Sequence, residues 1–560
     1  MQKILFSIVL SFLALTHGNS QDHSFIHPGI NWTLDDLNQM KANRKVRPWS
    51  NGWKAILKRK EASLDYKIKG PAINVDRKDN DIANDGDAAL FHALQWHFTG
   101  KSSHAKLAIS ILEAWATTHE TWSGNSVHLH AAWRGGTLVQ AAEILRYTYP
   151  GWTAANTKAC EDYFQNVLWP QFRLPNPLRA ANQGANNLWG AIQVAVFCND
   201  SKKFNQCIDA FLTDACGGLP NSLANGQNGD SGRDQGHAFA MIGNLASVAE
   251  IAWSQGIDLY GALDNRLLAL NEYWCLYNLG EDVPFIDFGT CYGYYTSIGS
   301  KGRRDDAPYT LGLHEKIYGA YVVRKKLKAP FTKDYRDGLP HSEDTFLHRK
   351  DSSYKSTAST KVKTHPDFIM GNVVKLSSSD IGSVDIRGKS KFKKDTWTIE
   401  GSGSDLYGGR SEDSFHYAYT RLNGDGCFIA KVASIENTDE SAKAGIVIRE
   451  SLDANSKMLV VNARPTLGSE FSSRGFDAAD GNGRQSFPLS TGSTWLKIER
   501  RGDHIIGFVG PDGVTWTPMQ HTIISLPKRA YIGLGVTSHN NNKLCEATFT
   551  NVQMSKGVAK

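Results

Sequence analysis

SGRDQGHAFAMIGNLASVAEIAWSQG, Ser231–Gly256, changes character part-way along. After His237 the apolar residues recur at three-to-four spacing, the period of an amphipathic helix, and Gly256 closes the run. Before it, Arg233, Asp234, Gln235 and His237 crowd the helix start. A helix N-terminus needs one capping side chain. Ser231 or Asp234 supplies it, and Gln235 lies at capping-box distance from Ser231 or a neighbour. Capping leaves Arg233 and His237 without a task, so this helix end is expected to wall a functional site.

The same period extends outward from this run. Ser103–His119, Gly136–Gly151 and Thr33–Lys41 all read as helices, the last with Thr33 as N-cap and Asp35 and Asp36 near the positive end of the helix dipole. Helices in succession with short loops predict antiparallel hairpins that form a bundle, a solenoid or a closed ring. Near residue 346 the pattern stops, and HRKDSSYKSTASTKVKTHPD reads as a linker or an extended start. Beyond it, GCFIAKVASI, AKAGIVIRES, KMLVVNARP and AYIGLGVTSH are short and β-branched, with turns expected at Arg501–Asp503 and Gly510–Gly513. They predict an antiparallel sandwich or jelly roll.

The chain has 560 residues, 41% hydrophobic and 21% charged, with a formal net charge of +6. That is enough for two or three domains and too little charge for disorder. The mild positive excess suits an anionic partner, but Lys and Arg are scattered, unlike a nucleic-acid footprint. MQKILFSIVLSFLALTHGNSQ has Lys3, an apolar run too short to span a bilayer and then small polar residues, the order of a secretory signal peptide. No later stretch is apolar enough for a membrane span. The expected division is signal peptide 1–20, helical domain 21–345, linker 346–370 and β-sandwich 371–560, in a secreted or periplasmic monomer. Eight cysteines lack CxxC spacing, which argues against zinc. Cys198–Cys207 and Cys427–Cys545 are conceivable bridges, with buried thiols the plainer reading.

Three further clusters carry candidate chemistry. In NQGANNLWG, Asn182, Gln183, Asn186 and Asn187 either cap a helix or offer amides to a carboxylate. In FIDFGTCYGYYTSIGSKGRRDD, Tyr292, Tyr294 and Tyr295 sit among glycines, with Arg303 and Arg304 following. Such a loop either packs aromatics at a turn or holds catalytic groups. SVHLHAAWRGG offers His128, His130, Trp133 and Arg134, without a third ligand nearby for a metal. Asp85 and Asp87 in NDGDAA form one carboxylate pair of the kind glycoside hydrolysis needs, although Asp87 serves equally as an N-cap.

HPGINWTLDDLNQMK (His27–Lys41) and GRDQGHAFAMIGNLASVAEIAWSQGIDLYG (Gly232–Gly261) resemble the alginate lyase superfamily of secreted polysaccharide lyases, over roughly residues 24–345. In particular they resemble the branch with a Gly-Arg-Asp-Gln-Gly-His run and a Trp-x-Gln-Gly ending. The resemblance implies an (α/α) toroid of helical hairpins around a substrate cleft, and β-elimination on polyuronates such as alginate or glucuronan. It implies neither metal nor other cofactor. Asn187, with Gln183 or Arg233, would neutralise the uronate carboxylate; His237 and Tyr292 would be base and acid, with Tyr294 or Tyr295 as substitutes for Tyr292. Tyrosine is a poor base at its free pKa of about 10, so Arg303 or Arg304 would have to lower it. Asn186, Trp133, Arg134 and His130 would line the substrate. Related lyases often place histidine directly after the neutralising asparagine; here Leu188 stands there, so the histidine role falls to His237. Asp413–Ser451 resembles a concanavalin-like sandwich module, with Ala442–Glu450 as its marked core. A hydrolase using Asp85, Asp87 or Asp234, and a non-catalytic polysaccharide-binding protein, are the alternatives.

Overall fold

A computed structural model describes residues 23–289, 291, 293–302, 312–350, 360–362, 367–475, 477–478, 484–487 and 494–558. The expected signal peptide and the candidates Tyr292, Arg303 and Arg304 lie outside these residues. Among the described residues no helix is long and apolar enough to cross a membrane.

The N-terminal half is an (α/α) toroid. Helices Asp81–Thr99, Gly136–Thr148, Ala181–Phe197 and Gln235–Ser254 pack side by side as its inner layer. Ser102–Thr118, Ala154–Tyr163 and Ser201–Thr213 back them as outer partners. Ala181–Phe197 and Gln235–Ser254 are buried almost throughout and mostly apolar, with Asn186, Asn187 and Asn244 among their buried residues. Turns are short: Gly100, at φ +72, ends the inner helix Asp81–Thr99, and Asp200 caps the outer helix Ser201–Thr213 through Lys203 N.

The two fragments that carry the family resemblance meet in space. Gln255, at the end of the Gln235–Ser254 helix, accepts from Ile26 N (2.9 Å) and donates to Ile26 O (2.9 Å) and Gly29 O (3.1 Å). A Cβ on Gly29 would stand 2.1 Å from the Gln255 amide nitrogen, so only glycine fits this strap. His27 extends the strap to Glu143 (2.8 Å) and stacks on Tyr147.

The C-terminal half is a sandwich of a nine-stranded and a seven-stranded sheet. In the first, Cys545–Val558 lies between Gly426–Ile435 and Thr396–Gly401. In the second, Lys443–Arg449 pairs antiparallel with Met458–Arg464 and Arg529–Thr537. Alternate residues face inward: Ile446, Ile448, Leu459 and Val461 meet Phe428, Ala430 and Val432 in one core. The expected turns are present, with Gly502 at φ +60 and Gly513 at φ +78. Thr360–Lys361, within the expected linker, pairs in parallel with Ile257–Asp258 of the helical domain.

The suggested disulfides do not form. Cys198, Cys207, Cys427 and Cys545 are free, and burial pushes the Cys198 and Cys427 thiols up to about 12. The bridge present is Cys216–Cys291, between residues 75 apart in sequence and invisible to any local spacing argument.

Candidate active site

Asp234 is the N-cap of the Gln235–Ser254 helix, and it does two things at once. One carboxylate oxygen accepts the His237 backbone N–H (2.8 Å), and the other faces His237 Nδ1 at 2.5 Å. Partial burial would raise the Asp234 carboxyl, but the His237 N–H and ring, with Arg233, outweigh it and hold the pKa below its ordinary value. An ionised Asp234 fixes the ring proton on Nδ1 and leaves the Nε2 lone pair outward. The His237 side chain is 42% exposed, so a substrate can reach it. The structure thus gives the helix cap and the histidine one shared carboxylate.

The second element is the helix Ala181–Phe197. Its N-cap is Ala180, so Asn186 and Asn187 lie in the second turn and cap nothing. Asn182 donates from backbone (3.0 Å) and side chain (2.7 Å) to Asp230, five residues before the first helix. The starts of both helices therefore lie at the same end of the ring. Asp230, fully buried and raised by that burial, also faces Arg233 at 3.9 Å. Sequence reading missed it because it stands in a polar loop with no periodicity.

Gln183 Oε1 accepts from His128 Nε2 (3.2 Å), and its position leaves it partly exposed. Asn187 is one turn further along the same face and fully buried. Neither amide atom of Asn187, nor of Asn186, has a hydrogen-bond partner among the described residues. Leaving such a group unpaired costs about 1–3 kcal/mol. Native cores rarely tolerate this without a functional reason. Asn244, seven residues after His237, shares the condition and was also missed.

His128 and His130 lie beside this pair on the short helix Val127–His130. Burial, then the nearby arginines Arg179 and Arg134 respectively, lowers both to about 4, so they stay neutral. His130 meets Trp133 edge-on at 6.0 Å. Arg134 donates to Asp79 O and Asn80 Oδ1, which holds it to the adjacent loop. Among the described residues no three His, Cys, Asp or Glu side chains gather to hold a metal ion.

The tyrosine loop covers the same helix end. Gly299 N donates to Ser231 O (2.9 Å), and Gly299 O accepts from Gln235 Nε2 (3.2 Å) and Tyr277 Oη (3.0 Å). Tyr295 packs directly on Gly232. Tyr294 donates to Asp287 (3.1 Å) and leans on the sandwich core. Burial and Asp287 raise its pKa, so Tyr294 keeps its proton. Cys291 ties the loop covalently to Cys216.

Residues 19–282, a little under half of the chain, match the family model for alginate lyase. The match spans most of the helical domain. On this match the chain is a polysaccharide lyase. No curated protein matches the sequence. Among solved structures, an alginate lyase from a Sphingomonas species is 13% identical, covering 60% of this chain and 100% of its own, with TM-score 0.47. An alginate lyase from Bacteroides ovatus is 10% identical, covering 58% and 100%, with TM-score 0.44. A carbohydrate-binding module from Bacillus subtilis is 16% identical, covering 32% and 97%, with TM-score 0.23.

Within the lyase domain the carboxylates of the hydrolase alternative are occupied. Asp85 accepts from Tyr66 Oη (2.7 Å), Lys69 N (2.9 Å), Gly70 N (3.0 Å) and Trp115 Nε1 (2.8 Å). Four donors saturate its lone pairs and make it a structural anchor. Asp87 lies inside the helix Asp81–Thr99, not at its cap, and pairs with Arg59 at 2.9 Å. Neither is presented as the free acid–base pair that hydrolysis needs.

Proposed function

We propose that this lyase is exported and cuts a polyuronate, alginate or glucuronan, by β-elimination. The observation that carries the reading is the Asp234–His237 pair on one helix start, beside the unpaired amides of the next. Elimination removes the C5 proton, breaks the C4–O4 bond and forms a C4–C5 double bond. Charge accumulates on the C5-linked carboxylate as the proton leaves, and donors aimed at that carboxylate lower the barrier. Gln183 and Arg233 supply accessible donors, and Asn187 lies one turn behind Gln183. His237 Nε2, oriented through Asp234, takes the proton. A tyrosine returns a proton to O4 as the leaving group departs. Tyr294 is committed to Asp287, so that role falls to Tyr292, with Tyr295 as its substitute. Trp133 and His130 supply ring surface along the chain of sugars.

Export is supported by the apolar run after Lys3 and by the Cys216–Cys291 bridge, which needs an oxidising compartment. The test is a panel of defined polyuronates treated with the wild type and with His237→Ala. Formation of 4,5-unsaturated ends by the wild type alone is the expected result. Equal formation by the variant removes His237 from the mechanism.

A further inference from the structure

The β-sandwich touches the lyase domain at one revealing point. His521, on the strand Thr517–Ile523, places Nδ1 3.2 Å from Asp214 Oδ2, with both side chains nearly fully buried. Its other nitrogen lies 3.0 Å from His504 Nδ1. Asp214 ends the outer helix Ser201–Thr213 and organises the turn that follows. It accepts from Cys216 N (2.9 Å), Gly217 N (2.8 Å) and Leu178 N (2.9 Å). Burial would raise its carboxyl, but His521 and these N–H groups hold it below the ordinary value.

That turn grips both halves of the site. Cys216 O accepts from Ala181 N, the first residue of the asparagine-bearing helix. Gly217 lies so close to Gly184 that a Cβ on either would approach the other's Cα to 2.7 Å. Cys216 is also bonded to Cys291 of the tyrosine loop. The same loop leans on the sandwich through Tyr294, and its strand Phe288–Gly289 lies against Thr517–Ile523. Beside His521 the junction holds a cavity of about 220 Å³ lined by Asp209, Thr213, Glu499, His504 and Ile506, among others.

We propose that the β-sandwich is a working part of the active site, in which His521, acting through Asp214, positions the asparagine helix and the tyrosine loop for elimination. His521 and Asp214 are positioning residues; neither is placed on the substrate. The kinetic half of this claim rests on the lyase reading above, and the structural half does not.

The test uses the full chain and two variants. His521→Leu keeps the volume and removes the contact, whereas His521→Asn keeps an N–H in reach of Asp214. Amide hydrogen exchange is followed at residues 178–184, 286–289 and 293–302, with residues 26–33 of the strap as an internal reference. For His521→Leu, exchange is expected to quicken at the first three segments and not at the strap. Turnover is expected to fall about tenfold or more with KM little changed, the signature of misplaced reacting groups. His521→Asn is expected to restore both. Wild-type exchange and turnover in His521→Leu would overturn the proposal, and so would exchange that quickens equally at the strap. If the wild type forms no unsaturated ends on any polyuronate, the lyase reading fails, and the exchange pattern still decides whether His521 positions the loop.

Discussion

At the scale of single residues, the site is a set of local rules broken for a purpose. Asn187 holds a fully buried amide with no partner, a cost of about 1–3 kcal/mol that leucine of similar volume would avoid. Asn187→Leu is therefore expected to raise the melting temperature while turnover falls about 100-fold or more, because a donor for the carboxylate is lost. A variant that loses stability and keeps turnover would show the amide to be structural. Asp234 allows a cleaner separation. Asparagine caps helices as well as aspartate, so Asp234→Asn should leave thermal stability almost unchanged. It removes the charge that fixes the ring proton of His237, and turnover is expected to fall about 100-fold. The crowding of Arg233, Asp234 and His237 was legible in the sequence as an excess over capping. That one carboxylate serves both the cap and the imidazole was not, because it depends on the rotamers of the folded turn.

Among the elements, helices were legible and their partners were not. The three-to-four spacing marks two of the inner helices, Gly136–Thr148 and Gln235–Ser254, and burial on nearly every side explains why the second is apolar beyond one stripe. Asn186 and Asn187 looked like caps because helix starts are hard to place from sequence; the start at Ala181 moves both inside. The tyrosine loop meets the histidine helix by close approach at Gly232, where an added Cβ would stand 2.2 Å from Tyr295 Cβ. Gly232→Ala is expected to displace that loop and lower turnover about tenfold, with a small change in melting temperature, because the clash lies between loops and not in the core. Unchanged turnover in this variant would detach Tyr295 and its neighbours from the chemistry.

Over the whole molecule, histidine burial sets an acid limit. Burial lowers His92, His119, His128 and His130 to about 4, against about 6.5 in the unfolded chain. Between these values the unfolded state binds more protons, so stability is lost as pH falls from about 6.5 to about 4. His27 works the other way. Burial opposes its charge, but Glu143 outweighs that and raises its pKa, so its contribution is full in acid and fades as pH rises through its folded value. His314 and His348 are lowered further by the same burial, while Asp87 and Asp344, raised to about 6 by burial, oppose them below that value. The lowered histidines outnumber these groups and predict a melting temperature that drops across the window, and a flat profile would contradict these burial assignments. The change from helices to antiparallel sheets was legible from the switch of period beyond residue 346. The Asp214–His521 contact and the Cys216–Cys291 bridge were not, since each joins segments far apart in sequence whose meeting depends on the completed fold. The central claim is elimination without water. The most direct measurement compares new reducing ends with new ultraviolet-absorbing unsaturated uronates as a polyuronate is shortened. Equal numbers of the two are predicted, and shortening with no rise in absorbance would contradict the account.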